Sequence, residues 1–298
     1  VTPSLFSISY AGFWGQSSLA LPDFIRHAGE LGYSSVMIAG KRPHLSPLDA
    51  TPDLVKAVQD ALAGGKVRCD VLGAYTNLAQ PVGCGGEVPL IEFQIAYVES
   101  LARIAAQLGA KIVRIFTAYE SGALDPQGPW QRVVGAVREM CDHAAPHGVT
   151  IAIQNHHDLA VHTDALLELL ADIDRPNCKL GFDAWSPALR GEKLYDAAKK
   201  AAPHTVLTTN ADYIKVPRHR YRPELVNYEP QPVDWVRAVP FGTGFIDYAA
   251  FFQGLRDGGF DGIAAFEMCS PLRGGGSREN LDACATTYLE WLKANRFI

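Results

Sequence analysis

Eight short runs of β-branched and apolar residues, each followed by a longer segment of helical period, predict an α/β fold. The expected form is a single (β/α)8 TIM barrel spanning residues 1–298, with a long loop after strand 7. Two further observations favour closure. The runs are apolar enough to be buried on both faces, as parallel strands covered by helices must be. Several helical segments also stop at glycine directly before the next β-branched run, the left-handed stop that makes an αβ junction. A doubly wound sheet is the competing architecture, and the count of eight units of about 37 residues favours the barrel.

The strands expected, in order, are residues 5–12, 34–40, 67–76, 111–119, 149–156, 178–185, 205–214 and 262–269. Helices are expected near residues 20–32, 51–64, 88–109, 129–146, 162–173, 190–202, 247–258 and 280–295. The glycine stops are Gly32, Gly109, Gly148 and the pair Gly258-Gly259.

Composition removes several classes of function. The chain is 48% hydrophobic and carries 27 Lys+Arg against 32 Asp+Glu, so its formal charge of −5 and lack of a basic run argue against nucleic acid as a partner. Six cysteines, Cys69, Cys84, Cys141, Cys178, Cys269 and Cys284, lie far apart without C-x-x-C or zinc spacing. They read as buried thiols in a reducing compartment. No apolar stretch reaches the roughly 18 residues of a membrane span, and the start, Val1-Thr2-Pro3-Ser4-Leu5, lacks a basic region followed by an apolar one. A cytoplasmic protein without membrane partners is expected, and a homo-oligomer is left open.

Chemistry in such a barrel sits at the C-terminal ends of the strands. Those ends supply Tyr10 and Trp14; Lys41, Arg42 and His44; Tyr75 and Asn77; Arg114 and Tyr119; Gln154, His156 and His157; Asp183 and Trp185; Asn210 and Asp212; and Glu267. Buried polar groups cost free energy unless partnered, so a ring of them implies a ligand, a metal or one another. Asp183 and Glu267 each end an apolar strand. Pointed at one axis they would repel unless a cation or a proton lay between them; singly, each could instead cap the following helix or pair with an arginine.

The run Ile151-Ala152-Ile153-Gln154-Asn155-His156-His157-Asp158, then Gly181-Phe182-Asp183, then Ala265-Phe266-Glu267, at the ends of strands five, six and eight, resembles the xylose isomerase-like TIM barrels called sugar phosphate isomerases/epimerases. The resemblance covers nearly the whole chain. It implies one divalent metal, Mn²⁺ foremost and Mg²⁺ next, held by Glu, Asp, His and Glu from strands five to eight. In the ketose epimerases of that group the two glutamates also move protons on opposite faces of a sugar.

This sequence departs from that pattern. Gln154 stands where the strand-five Glu is expected, and a carboxamide offers an oxygen but takes no proton. The strand-seven His has no counterpart in Thr208-Thr209-Asn210-Ala211-Asp212, so Thr209, Asn210 or Asp212 fills its place, and Ser186 replaces a histidine often found after the strand-six Asp. The resulting expectation is an all-oxygen metal site of Gln154, Asp183, Asn210 and Glu267, suited to a hard cation.

His156 and His157 are adjacent, so on an extended strand only one faces the mouth. His156 is the expected second acid-base group beside Glu267, two residues after Gln154 and on the same face. Tyr10, Trp14, Tyr75, Arg114, His157 and Trp185 are expected to contact substrate. Arg218, with Arg220 and Arg222, lies in the long loop after strand seven and is expected to reach an anionic group, unless the loop packs on aromatics or a second subunit. Arg273, in the Gly274-Gly275-Gly276 turn before the last helix, is a further anion contact. The function these residues imply is metal-assisted proton transfer next to a carbonyl on a monosaccharide or keto-sugar, as an isomerase or epimerase. A lyase or dehydratase acting on a keto-sugar or glycoside, and a non-catalytic sugar-binding barrel, are the alternatives.

Overall fold

The structure, a computed structural model, describes residues 1–78, 90–119 and 127–298. Cys84 and the expected start of the third helix lie outside these. The barrel strands are β1 (Thr2–Phe6), β2 (Ser35–Ala39), β3 (Arg68–Gly73), β4 (Ile112–Ile115), β5 (Thr150–Gln154), β6 (Cys178–Gly181) and β7 (Thr205–Asn210). The chain then makes β8 (Asp212–Val216), β9 (His219–Arg222), β10 (Asn227–Pro230) and β11 (Trp235–Val239) before the last barrel strand, β12 (Ile263–Phe266). The last strand pairs in parallel with both β7 and β1, so the eight barrel strands close as expected.

The helices described are α1 (Leu21–Glu30), α2 (Pro52–Gly65), α3 (Leu90–Leu108), α4 (Gln127–Ala144), α5 (Thr163–Ile173), α6 (Trp185–Arg190), α7 (Leu194–Ala201), α8 (Tyr248–Asp257) and α9 (Arg278–Ala294). Side-chain oxygens of Thr51, Asp247 and Ser277 accept backbone N–H bonds at the starts of α2, α8 and α9. The stops at Gly32, Gly109, Gly148 and Gly259 all take left-handed backbone. The short helix α6 was not expected; Asp183 caps it.

Alternation along the strands divides the core in two. Phe6, Met37, Ala39, Val71, Ile112, Ala152, Leu207 and Ala265 pack together inside the barrel, and the larger cluster fills the space between strands and helices. The ladders are shorter than the apolar runs, because the chain leaves the barrel after four to six residues. Two residues past each inward core position the same face supplies the mouth, which is how Arg114, Gln154, Thr209 and Glu267 come to share it.

Arg114 is 1% exposed, an unusual place for a guanidinium. Its register neighbours are Gly73 on β3 and Ala152 on β5, so small residues leave it room. A Cβ on Gly73 would lie 3.0 Å from Arg114 Nη2 and 3.1 Å from Met37 Cε and Phe6 Cζ. Gly73→Ala is expected to destabilise the fold by about 1–3 kcal/mol through overpacking. Gly181→Ala, whose Cβ meets Arg114 Cγ at an ordinary 3.5 Å, is expected to cost much less. Thermal unfolding of the two variants checks the contrast.

Candidate active site

A cavity of about 670 Å³ opens at the C-terminal ends of the strands. Its two sides differ in chemistry. From β2, β3 and β4 come Lys41, Tyr75 and Arg114; from β5, β7's continuation and β12 come Gln154, Tyr213 and Glu267.

The Gln154 amide donates to Asp183 Oδ2 at 2.7 Å and to Thr209 Oγ1 at 2.9 Å, leaving its Oε1 buried without a partner. A carboxylate accepts only, which fixes this orientation of the amide. Asp183 Oδ1 accepts from the backbone N–H groups of Trp185 and Ser186 at 3.1 and 3.4 Å. Burial pushes Asp183 up to about 6 despite the hydrogen bond from Gln154 and those from Ser186 and Trp185.

Glu267 makes no ion pair within 4 Å among the described residues. Burial, opposed by Arg114 and assisted by the Asp183 charge, pushes its carboxyl up to about 7. The Cys269 thiol hydrogen-bonds to it and lies 3.0 Å from Tyr213 Oη.

His156 and His157 both line the cavity, because β5 ends at Gln154 and His157 takes left-handed backbone with φ of 69°. The expectation that only one of them faces the mouth assumed that the strand continued. Their rings are 4.9 Å apart, and His157 stacks on Tyr119 at 3.9 Å. Burial first, then His157 and Arg114, push His156 down to about 3. Burial and Arg114 lower His157 to about 4. Near neutral pH both are uncharged imidazoles.

Trp14, Tyr75, Arg114 and Trp185 line the cavity. Tyr10 does not. After Phe6 the chain enters a 3-10 turn, Ser7–Tyr10, which breaks the alternation and turns Tyr10 outward to donate to Asp282 at 2.6 Å. Asn210 also faces outward: its amide donates to Thr208 O, Ala265 O and Tyr288 Oη. Thr209, one residue earlier, is the inward residue of β7. Asp212 accepts from the backbone N–H groups of Tyr213, Gly242 and Gly244 and anchors a loop.

The long loop is two antiparallel ribbons, β8 with β11 and β9 with β10. Arg218 stacks on Trp235 at 4.8 Å, and Arg222 pairs with Glu224 and Glu229, all away from the cavity. Arg273 is exposed and outside the cavity lining, and the Asn280 amide fills the glycine turn by donating to Arg273 O and Gly275 O. Phe116, Tyr213 and Cys269 are cavity residues that the expected site lacks, while Lys41 and Thr209, named only as strand-end candidates, also belong at the mouth. Lys41 and Phe116 lie two residues beyond the inward Ala39 and Arg114, a signal present in the sequence; Tyr213 and Cys269 depend on where the chain leaves the barrel.

The donors do not fit the divalent metal that the resemblance implies. Asn210 is turned away, Thr209 is a neutral hydroxyl, and Gln154 presents N–H rather than oxygen to Asp183, whose two oxygens both already accept bonds. Among the described residues no three His, Cys, Asp or Glu side chains are grouped to hold a metal.

A sequence profile described as xylose isomerase-like TIM barrel matches residues 25–294. The chain belongs to this family. Within it, the chain is 26% identical over 172 residues to a 3-dehydroshikimate dehydratase of Bacillus anthracis, a match spanning 56% of this chain and 59% of that relative. A D-allulose 3-epimerase from Methylomonas sp., solved with D-allulose, is 18% identical, with 99% of this chain and 97% of that one covered at a TM-score of 0.73. A D-psicose 3-epimerase with D-tagatose from Clostridium cellulolyticum H10 is 15% identical, with 99% of each chain covered and a TM-score of 0.73. These relatives of the xylose isomerase-like barrel are enzymes. No helix among the described residues is long and apolar enough to cross a membrane.

Three outcomes are expected. Exhaustive chelation, or added Mn²⁺, leaves the thermal midpoint unchanged, as calorimetry checks. Arg218→Ala leaves KM unchanged in steady-state kinetics. A carboxyl whose folded pKa of about 7 lies above its ordinary 4.5 binds its proton more tightly when folded, so its contribution favours folding at low pH and is lost as pH rises through that window. Glu267→Gln therefore raises the thermal midpoint at pH 8 relative to the native protein, and hardly changes it at pH 4.

Proposed function

We propose that the chain is an enzyme that removes a proton next to a carbonyl on a small polyhydroxylated substrate, with Glu267 as the base. The observation that carries this is the Glu267 carboxyl, which lines the cavity, makes no ion pair among the described residues and is raised to about 7, where a base is efficient near neutral pH. Gln154 takes no proton, and the uncharged His156 is too weakly basic to replace a second glutamate.

One base favours chemistry on one face. Glu267 takes the α-proton, and the same protonated carboxyl returns it, either to the neighbouring carbon or oxygen in an isomerisation or to a leaving hydroxyl that departs as water. Epimerisation by direct inversion asks for groups on two faces and is disfavoured. The dehydratase relative supports the elimination branch.

The rest of the mouth supports the chemistry. Arg114 and the N–H groups of His156 or His157 and Trp185 supply donors for the oxygen on which negative charge develops. Gln154 Oε1 accepts from a substrate hydroxyl, while Asp183 and Thr209 hold the Gln154 amide in place. Trp14, Tyr75 and Phe116 provide apolar walls against ring CH groups.

The test is deuterium incorporation from D₂O, followed by NMR, with 3-dehydroshikimate and with D-allulose as substrates. Exchange or elimination is expected with the native protein and a loss of at least about a hundredfold in rate with Glu267→Gln, the scale of general-base catalysis. The kcat/KM of the native protein should rise with pH through about 7, since the base acts deprotonated. Exchange that persists in Glu267→Gln would remove Glu267 from the role. Exchange with neither substrate would overturn the reaction class for both.

A further inference from the structure

The cavity wall built by β2, β3 and β4 holds two cations that make no ion pair among the described residues. Arg114 sends Nη1 to Ala74 O at 3.0 Å, while its Nε is buried without a partner. Lys41 sits over the Tyr75 ring at 3.7 Å and near Phe13 at 4.6 Å. The Arg114 guanidinium approaches Tyr75 from 5.1 Å, so one aromatic ring lies against both charges. Among the described residues no carboxylate lies within 4 Å of either cation.

Desolvated charges of like sign on one wall are unfavourable unless something compensates them. Burial and the neighbouring Arg114 lower the Lys41 pKa, which registers that cost. Two further groups on the cavity lining are buried donors with no acceptor: Tyr75 Oη and Trp185 Nε1. A tryptophan N–H can only donate, and a guanidinium has no lone pair to offer. Among the described residues the lining therefore presents unanswered donors on the Lys41, Tyr75 and Arg114 side and an unanswered acceptor, Gln154 Oε1, on the other.

We propose that Arg114 and Lys41, with Tyr75 Oη, form a carboxylate-binding subsite, so that the substrate is a hydroxylated keto acid rather than a neutral sugar. This rests on the one-base reading of Glu267 only in calling the ligand a substrate; the subsite is defined by the cations. A carboxylate fits better than a phosphate. The guanidinium is planar and its Nε lacks a partner, which suits an oxygen of a planar carboxylate. The glycine turn before α9 is filled by the Asn280 amide and offers no phosphate cradle. With its carboxylate against Lys41 and Arg114, the ligand reaches across the cavity to put a ring hydroxyl on Gln154 Oε1 and its acidic carbon toward Glu267.

The experiment is calorimetric titration of the whole protein with four probes: shikimate, its methyl ester, D-allulose and D-fructose 6-phosphate. Shikimate is expected to bind at least tenfold more tightly than the ester, more weakly as salt is raised, and D-allulose to bind least. Lys41→Met, at the cavity rim, should weaken shikimate at least fivefold and leave the ester unaffected. Arg114→Met should abolish the preference for the acid, and its thermal midpoint shows whether it folds. Equal binding of acid and ester, tighter binding of D-allulose, or an unchanged Lys41→Met would overturn the carboxylate subsite. Preference for the sugar phosphate would also overturn it and assign the cations to phosphate. These results separate from the proton-transfer test: shikimate binding without exchange on any substrate retains the subsite and discards the reaction, and exchange on D-allulose with indifferent binding does the reverse.

Discussion

Arg114 lies buried inside the barrel above an apolar cluster, with its side chain running between Gly73 and Gly181. A guanidinium keeps its charge at any accessible pH, so this cation cannot be neutralised by losing a proton as a buried lysine can. Everything around it adjusts instead. Both histidines of the fifth strand end are held uncharged partly by it, and it draws the Glu267 and Asp183 carboxyls down from where burial alone would put them. Its stem needs small neighbours, which β3 supplies with Gly73 and β5 with Ala152. One interior charge thus adds, after burial, to the bias on the protonation of the mouth and limits the residue sizes beside it.

The comparison of sequence and structure separates what periodicity encodes from what it does not. The closed barrel, the glycine stops and the inward placement of Gln154, Arg114 and Glu267 follow from period-two alternation, which reads correctly while a strand lasts. Errors cluster where strands end. Tyr10 faces outward because the first strand ends at Phe6 and a 3-10 turn follows, a break that alternation does not signal. His156 and His157 share the cavity because one left-handed residue cancels the alternation. Asn210 and Thr209 exchanged roles by a single register step, which no motif in a strand end of threonines and asparagine could resolve.

The missing metal donors follow the same logic at the level of the site. Where the resemblance implies an acid on strand five and an imidazole on strand seven, this chain has Gln154 and, facing inward, Thr209, and the Gln154 amide donates to both Thr209 and Asp183. The three side chains form one consistent network, in which the amide satisfies the Asp183 carboxylate. The positive charge in the mouth comes from the opposite wall, on Arg114 and Lys41.

Asp212 has a consequence for how this protein could change over time. Its carboxylate gathers the N–H groups of Tyr213, Gly242 and Gly244, and a Cβ on Gly244 would lie 2.0 Å from its Oδ1, so the two ends of the excursion are clasped at one point. With the ends fixed, the entropy of lengthening the intervening chain grows only logarithmically with its size. The paired ribbons can therefore be shortened, extended or exchanged without opening the barrel, and the residues carried by β8 and β11 at the cavity edge, Tyr213 and Val236, move with them. The clasp makes this segment a replaceable cartridge, through which a lineage could refit the entrance to new molecules while the charged interior stays as it is.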